Sequence, residues 1–184
     1  MTIYKLRYRF KSYLSINITN EEMWAKLGKP LYPRGESVSS IWQPMSASFI
    51  NTFDETANGK QPDIADWETN MVFGPKAYDA LASMLLPFGE FLPLSIEGEV
   101  WYVFNATTIY NTVDDSASQQ HIMDGVIMGV DELLFDESKL GPAPVFRTDF
   151  DDRMSVYCNQ AFKDAVQAQG FEAVLFREDL TAPM

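Results

Sequence analysis

The sequence predicts an α+β fold in which antiparallel strands pack with two or three helices. Three features of the 184-residue chain support this class: an alternating stretch at the amino terminus, stretches with helical periodicity, and two strand-like stretches joined by a short turn. Strands alternate apolar and polar side chains, whereas helices repeat apolar positions every three or four residues. We expect a single domain over 1–184, with a variable N-terminal part at 1–66 and an α+β part at 67–184.

The first strand is predicted over residues 2–11. Its apolar positions are Tyr4, Leu6, Tyr8 and Phe10, and its basic positions are Lys5, Arg7, Arg9 and Lys11. Because side chains on a strand alternate between two faces, the apolar set is expected to enter the core. The basic set is expected to lie in the electrostatic field of an acidic body, either within the fold or across a homo-oligomer contact.

Three helices are predicted from periodicity and capping. The segment 20–27 begins with Asn20 as the expected N-cap and carries acidic residues in its first turn. The segment 74–87 has proline near its start and proline at its end, which is where a helix tolerates and loses it. The segment 159–170 begins with Asn159 and ends with glycine.

The remaining elements are predicted to be strands and loops. Strands are expected at 91–96, 100–107, 122–135, 145–148 and 171–176. The first two are joined by a glycine-containing turn and are predicted to form a hairpin. The stretch 122–135 is interpreted as one strand, kinked at Gly125 or Gly129. Residues 31–66 are expected to be loops with one or two short strands.

Charge is distributed unevenly along the chain, whose formal net charge is -12. Residues 1–35 hold seven basic and two acidic residues, a net charge of +5, so residues 36–184 carry -17. Phosphate groups repel such a surface, which argues against nucleic acid as a direct ligand. A strongly acidic body instead suits a cationic protein and accelerates its association.

The sequence favours a cytoplasmic protein. Cys158 is the only cysteine, so no disulfide forms within the chain, as is usual in a reducing compartment. The amino terminus lacks the apolar core of a signal peptide. The longest apolar runs are far shorter than the roughly 20 residues that cross a membrane, and no membrane contact is expected.

Motifs of catalysis and cofactor binding are absent from the sequence. His121 is the only histidine, and Cys158 lies far from it in sequence with no local catalytic signature, so an exposed histidine and a small buried cysteine are the favoured interpretation. Two such side chains cannot supply the four ligands of a structural zinc site. The chain contains no glycine-rich phosphate loop. We therefore predict a binding protein without cofactors rather than an enzyme.

Two groups of carboxylates are the candidate functional residues. Asp114 and Asp115 lie in a predicted turn, and Asp149, Asp151 and Asp152 follow the short strand at 145–148, with Asp149 and Asp151 expected on one strand face. Both groups are interpreted as a surface that contacts a partner. An alternative is a metal-dependent hydrolase centred on the second group, since carboxylates bind Mg²⁺ and Ca²⁺. A second alternative is a self-associating structural module.

The order of short motifs resembles a bacterial immunity-protein family of polymorphic toxin systems, formerly a domain of unknown function and named for a Myxococcus xanthus representative. The resemblance covers about 70–180 plus the first strand. The matching positions are Tyr4-Lys5-Leu6, Glu90-Phe91-Leu92-Pro93-Leu94, Asn105, Phe146-Arg147, and Gly170 to Phe176. The resemblance implies a protein that neutralises a cognate toxin by direct binding, without catalytic residues. The partner is then a toxin protein, with a basic nuclease as one type, and Asn105 and Arg147 are candidate structural residues.

Overall fold

The computed structural model describes residues 2–53 and 58–181. In these residues twelve strands and three α-helices form an α+β fold, which confirms the predicted class. The strands are β1 (Ile3–Tyr8), β2 (Ser15–Asn17), β3 (Met45–Ile50), β4 (Ile64–Trp67), β5 (Asn70–Phe73), β6 (Gly89–Ile96), β7 (Glu99–Ala106), β8 (Gln119–Met123), β9 (Val126–Glu132), β10 (Val145–Phe146), β11 (Tyr157–Asn159) and β12 (Val174–Arg177). The helices are α1 (Asn20–Leu27), α2 (Pro75–Leu85) and α3 (Gln160–Ala168).

The strands form three sheets. A six-stranded sheet has the order β2-β3-β6-β7-β5-β4, a four-stranded sheet has the order β10-β11-β1-β12, and β8 and β9 form a separate two-stranded ribbon. The strand pairs are antiparallel except β3 with β6, which run parallel. Among the described helices, none combines the length and the hydropathy that a membrane crossing needs.

The core is divided among both faces of the two larger sheets. Along β7, Trp101 and Val103 pack into one apolar cluster, whereas Phe104 and Ala106 pack into another. The second of these clusters also takes Tyr4 and Leu6 from β1 and the inner face of α2. Strand β1 therefore shares a core with elements from the second half of the chain.

A third apolar cluster covers the opposite face of the four-stranded sheet. It contains Ile3, Phe135, Phe146 and Tyr157, together with Leu133 at the end of the β8–β9 ribbon. Because β1 lies between β11 and β12, and both faces of its sheet are covered, Lys5 is only 6% exposed. The sequence placed Lys5 with the basic residues outside the core. The covering layer contributed by distant residues is the reason that this side chain is buried.

Helix ends agree closely with the predictions. Asn159 caps α3 as expected, since its side-chain oxygen accepts a hydrogen bond from the Phe162 amide at 3.1 Å. Helix α1 spans the predicted residues, but its N-cap is Thr19 rather than Asn20, because the Thr19 hydroxyl accepts from the Glu22 amide at 3.1 Å. Helix α2 ends at Leu85 and continues as a 3₁₀ turn over Leu86–Phe88.

The hairpin predicted around residues 97–99 is present as β6 and β7. The single strand predicted over 122–135 is wrong, because β8 and β9 form a second hairpin there. Asp124 and Gly125 make its turn with φ values of 51° and 81°, the left-handed geometry that suits a two-residue hairpin loop. Gly125 therefore reverses the chain direction instead of kinking a strand. The short strand β3 and most of β4 lie in 31–66, where one or two short strands were expected, while 54–57 are outside the described residues.

Candidate functional site

The first acidic turn precedes the β8–β9 hairpin and is hydrogen-bonded to the residues that follow β9. The Asp114 amide donates to the Leu134 carbonyl at 2.8 Å. Asp114 is half-buried, and its Oδ1 accepts from the amide and the hydroxyl of Ser116, which lowers the pKa of the Asp114 carboxyl. Asp115 is exposed. Of the two predicted contact residues, Asp115 is thus the more accessible.

The second acidic group forms a 3₁₀ turn over Asp149–Asp151 rather than a strand. Asp149 is exposed and accepts hydrogen bonds from Asn111 Nδ2 and Arg153 Nε, both at 2.6 Å. The Asn111 bond is the larger cause, and the Arg153 bond the second, of the lowered pKa of the Asp149 carboxyl. Asp152 is also exposed and lies 3.6 Å from the Arg34 guanidinium.

Asp151 lies in the interior, so it supplies no exposed carboxylate to a partner surface. Its side chain is 1% exposed, and its Oδ2 accepts from the Ser155 amide at 3.1 Å and the Tyr157 hydroxyl at 2.9 Å. Burial raises the pKa of the Asp151 carboxyl. The expectation that Asp149 and Asp151 share a strand face is wrong, because the 3₁₀ turn directs one outward and the other inward. Among residues 2–53 and 58–181, no three His, Cys, Asp or Glu groups are grouped to hold a metal ion.

A cavity of about 190 Å³ lies between β1, β9 and this 3₁₀ turn. Lys5, Asp151 and Ser155 line it from the body of the fold, and His121 and Asp131 line it from the hairpin. His121 Nδ1 lies 3.1 Å from Asp131 Oδ1. The pKa of the Lys5 amine is lowered to about 8, with burial as the larger cause and nearby Arg7 as the second. The cavity is lined by both acidic and basic groups.

The single cysteine and the single histidine lie apart in the fold. Cys158 is fully buried in the core cluster that includes Tyr4 and Leu6, whereas His121 lies on the exposed hairpin. Burial raises the pKa of the Cys158 thiol far above its ordinary range, so the thiol is protonated at neutral pH. The two residues therefore do not form a nucleophile–base pair.

Arg147 is completely buried and links distant segments. Its Nη1 donates to the Arg153 carbonyl at 2.7 Å and to the Thr69 hydroxyl at 3.3 Å. Its Nη2 donates to the Thr69 carbonyl at 2.7 Å and to Asn70 Oδ1 at 2.8 Å. Burial lowers the pKa of Arg147 to about 10, which still leaves the guanidinium charged at neutral pH.

Asn105 and Glu90 together hold the loop before β3. Asn105 Oδ1 accepts from the Gly35 amide at 2.9 Å, and its Nδ2 donates to the Glu36 carbonyl at 2.7 Å and to Glu90 Oε2 at 3.2 Å. Glu90 also accepts from the Val38 amide at 3.0 Å. Gly35 has a φ of 95° and packs against the chain near Ala106, so this position suits glycine. Glu90 begins the Glu90-Phe91-Leu92-Pro93-Leu94 motif of the sequence. Its hydrogen-bond partners are far away in sequence and are revealed only by the fold.

Comparison with known proteins agrees with the resemblance seen in the sequence. Residues 95–180, just under half of the chain, match the family model described as Immunity protein family (Imm11). The matched segment contains both acidic turns, the β8–β9 hairpin and Arg147. A search of curated proteins found no match. The family match supports an immunity-protein role.

Proposed function

We propose that this chain is an immunity protein that neutralises a cognate bacterial toxin by binding it directly in the cytoplasm. The observation that carries this proposal is the match of residues 95–180 to the Imm11 immunity family. Inhibition by binding requires a stable, accessible surface and no catalytic group. Cys158 is buried in the core and His121 lies on the exposed hairpin, so neither is arranged as a nucleophile with a base beside it.

Charge supports a basic toxin as the partner. Residues 36–184 carry a net charge of -17, and within the matched segment Asp115, Asp149 and Asp152 are exposed. A nuclease presents positive charge to bind phosphate groups, and an acidic inhibitor occupies the same groove in place of nucleic acid. Complementary charge also raises the association rate, which is what a protein guarding its own cell needs.

Co-expression tests the proposed function directly. The candidate toxin is a protein domain encoded by a gene next to the one for this chain. Bacteria that express this domain alone are expected to stop growing, and co-expression of this chain is expected to restore growth. The restored cells should contain a complex of the two proteins that purifies through a tag on either one. Continued growth arrest in cells that hold soluble chain, with no complex recovered, contradicts the proposal.

A self-associating module predicts a different result. In that case the purified chain alone forms dimers or larger species whose abundance depends on salt, since the basic strand of one copy meets the acidic face of another. Light scattering at low and high salt separates this outcome from a monomer. Self-association without toxin binding favours the module, whereas binding of the toxin favours the proposed function.

A further inference from the structure

The β8–β9 hairpin exposes an unusual concentration of large apolar side chains. Ile122, Met123, Val126 and Met128 are each more than half exposed, at 56%, 55%, 59% and 51%. Other exposed large apolar residues of the described chain, such as Trp24, Ile41 and Leu86, lie on separate elements. Exposed apolar side chains that cluster on one element mark an interaction surface, whereas scattered ones are normal.

The arrangement of the hairpin explains why its end is exposed on both faces. Cross-strand pairing joins Met123 with Val126 and Ile122 with Ile127, and successive pairs face opposite sides of a ribbon. Neither β8 nor β9 is paired with a strand of the other two sheets. Apolar side chains therefore project from both faces of the turn end of the ribbon.

The other end of the hairpin is fixed to the body of the protein. Gln120 Nε2 donates to the Phe150 carbonyl at 2.7 Å, and Val113 bridges to Phe135. Leu133 and Phe135, which follow β9, are buried in the third apolar cluster. A fixed root and an exposed end present the apolar side chains at a defined position, which lowers the entropy lost on binding.

Negative charge accompanies the hairpin: Asp124 lies in its turn, and the other acidic residues lie towards its root. Residues 111–139 contain seven acidic residues and one lysine, a net charge of -6 with His121 neutral, which is half of the chain's -12. The acidic residues are Asp114, Asp115, Asp124, Asp131, Glu132, Asp136 and Glu137. The lysine, Lys139, is paired with Asp136 at 2.7 Å. Exposed apolar side chains together with charged ones are typical of a protein–protein interface.

We infer that the β8–β9 hairpin is the docking element for a basic protein whose contact surface has an apolar centre. This inference rests on the proposed function, and it identifies where the toxin binds. A second copy of this chain is disfavoured, because pairing two such hairpins brings together two segments of net charge -6. Nucleic acid and anionic lipid are repelled for the same reason. The apolar side chains at the turn end supply affinity, and the acidic residues of the turn and the root supply the association rate and the choice of a basic partner.

The apolar part is tested with the double variant Met123→Ser/Val126→Ser. Its matched controls are Ile41→Ser and Leu86→Ser, which remove exposed apolar side chains (50% and 54% exposed) from other elements. The probe is the candidate toxin domain from the neighbouring gene that passes the co-expression test, inactivated by substitution and immobilised for surface plasmon resonance. Loss of central apolar contacts is expected to weaken binding at least ~30-fold, mainly through faster dissociation. The controls are expected to bind within about twofold of wild type.

The acidic part is tested with Asp124→Asn, because asparagine tolerates the left-handed backbone at that turn. Its control is Glu97→Asn, which removes one charge from the corresponding left-handed position of the β6–β7 turn. Asp124→Asn is expected to slow association about twofold to fivefold at low salt and much less at 0.5 M salt, where charges are screened. Glu97→Asn is expected to leave the association rate unchanged.

The outcomes separate this inference from the proposed function. If wild type binds the toxin domain and Met123→Ser/Val126→Ser binds equally well, the hairpin is not the docking element. If wild type does not bind, the proposed function itself fails, and the docking assignment fails with it. Amide hydrogen exchange provides the second readout: the amides of 119–132 should gain protection in the complex. Protection that appears only elsewhere, or a dimer of the chain alone that the double variant abolishes, overturns the inference.

Discussion

Arg147 donates a hydrogen bond from Nη2 to Asn70 Oδ1 at 2.8 Å, and this contact joins the four-stranded sheet to the six-stranded sheet. Asn70 begins β5, and Arg147 directly follows β10. Both side chains are buried, so the contact is shielded from water. Arg147, which the family resemblance indicates as a structural residue, therefore lies where the two sheets meet.

Arg147→Met is expected to lower the free energy of unfolding by about 3–5 kcal/mol. The loss follows because Thr69, Asn70 and the Arg153 carbonyl are left without their donor in a buried place. The control is Arg153→Met, which breaks a partly exposed ion pair with Asp149 and should cost about 0–1 kcal/mol. Urea unfolding measures both; equal losses would show that the Arg147 contacts are not important for stability.

Asp151→Ala is expected to destabilise the fold by about 1–3 kcal/mol without acting on the partner surface. The substitution leaves the Ser155 amide and the Tyr157 hydroxyl, two buried donors, without their acceptor. Asp152→Asn, on an exposed carboxylate next in the chain, should leave the unfolding midpoint almost unchanged. Thermal unfolding followed by circular dichroism checks the pair. A stable Asp151→Ala protein would contradict the structural role assigned to Asp151.

Lys5→Met is expected to stabilise the protein at pH 7 and to lose that advantage at high pH. Folded Lys5 has a pKa of about 8, because it is buried, against an ordinary value of 10.5. Between these values the unfolded chain binds more protons, so wild-type stability rises with pH relative to the variant. Below pH 8 the cost of the buried ammonium is fully present. Denaturant unfolding from pH 6 to 10.5 measures the difference, with exposed Lys11→Met as the control. A pH-independent difference would contradict the burial of the charge.

Asp66→Asn is expected to show the opposite pH dependence. Burial raises the pKa of Asp66 to about 6 from an ordinary 3.8. Between these values the folded chain binds more protons, so wild-type stability falls as pH rises from about 4 to 6. The variant should therefore be the more stable protein at pH 7 and lose this advantage near pH 4. Glu68→Gln, at an exposed neighbouring position, is the control. A variant that is less stable at pH 7 would show that hydrogen bonds to the Asp66 carboxylate outweigh the cost of its burial.

Local signals predicted much of the fold. Asn159 as a cap, the proline positions around α2 and the turn after β6 depend on neighbouring residues, and each lies where the sequence placed it. The turn at Asp124-Gly125 was also readable, since this dipeptide is a strong hairpin signal, but the apolar residues on both sides suggested a continuous strand.

The placement of charged side chains depended on distant packing. Lys5 alternates with apolar residues in the same way as a lysine on a solvent-exposed strand face. Only the structure shows that the third apolar cluster covers this face of the four-stranded sheet. Asp151 differs from its neighbours Asp149 and Asp152 only through a 3₁₀ turn that directs its side chain inward. Neither the covering layer nor the direction of the turn is encoded within a few residues, so the sequence could not show that Lys5 and Asp151 are buried.

Isothermal titration calorimetry of the purified chain with the inactivated candidate toxin domain shows whether the two proteins bind each other. The account predicts a one-to-one complex with a Kd of about 10 nM or tighter at physiological salt, as is usual for stable inhibitor interfaces. Absence of binding at protein concentrations of about 10 μM, with both proteins folded, would contradict it.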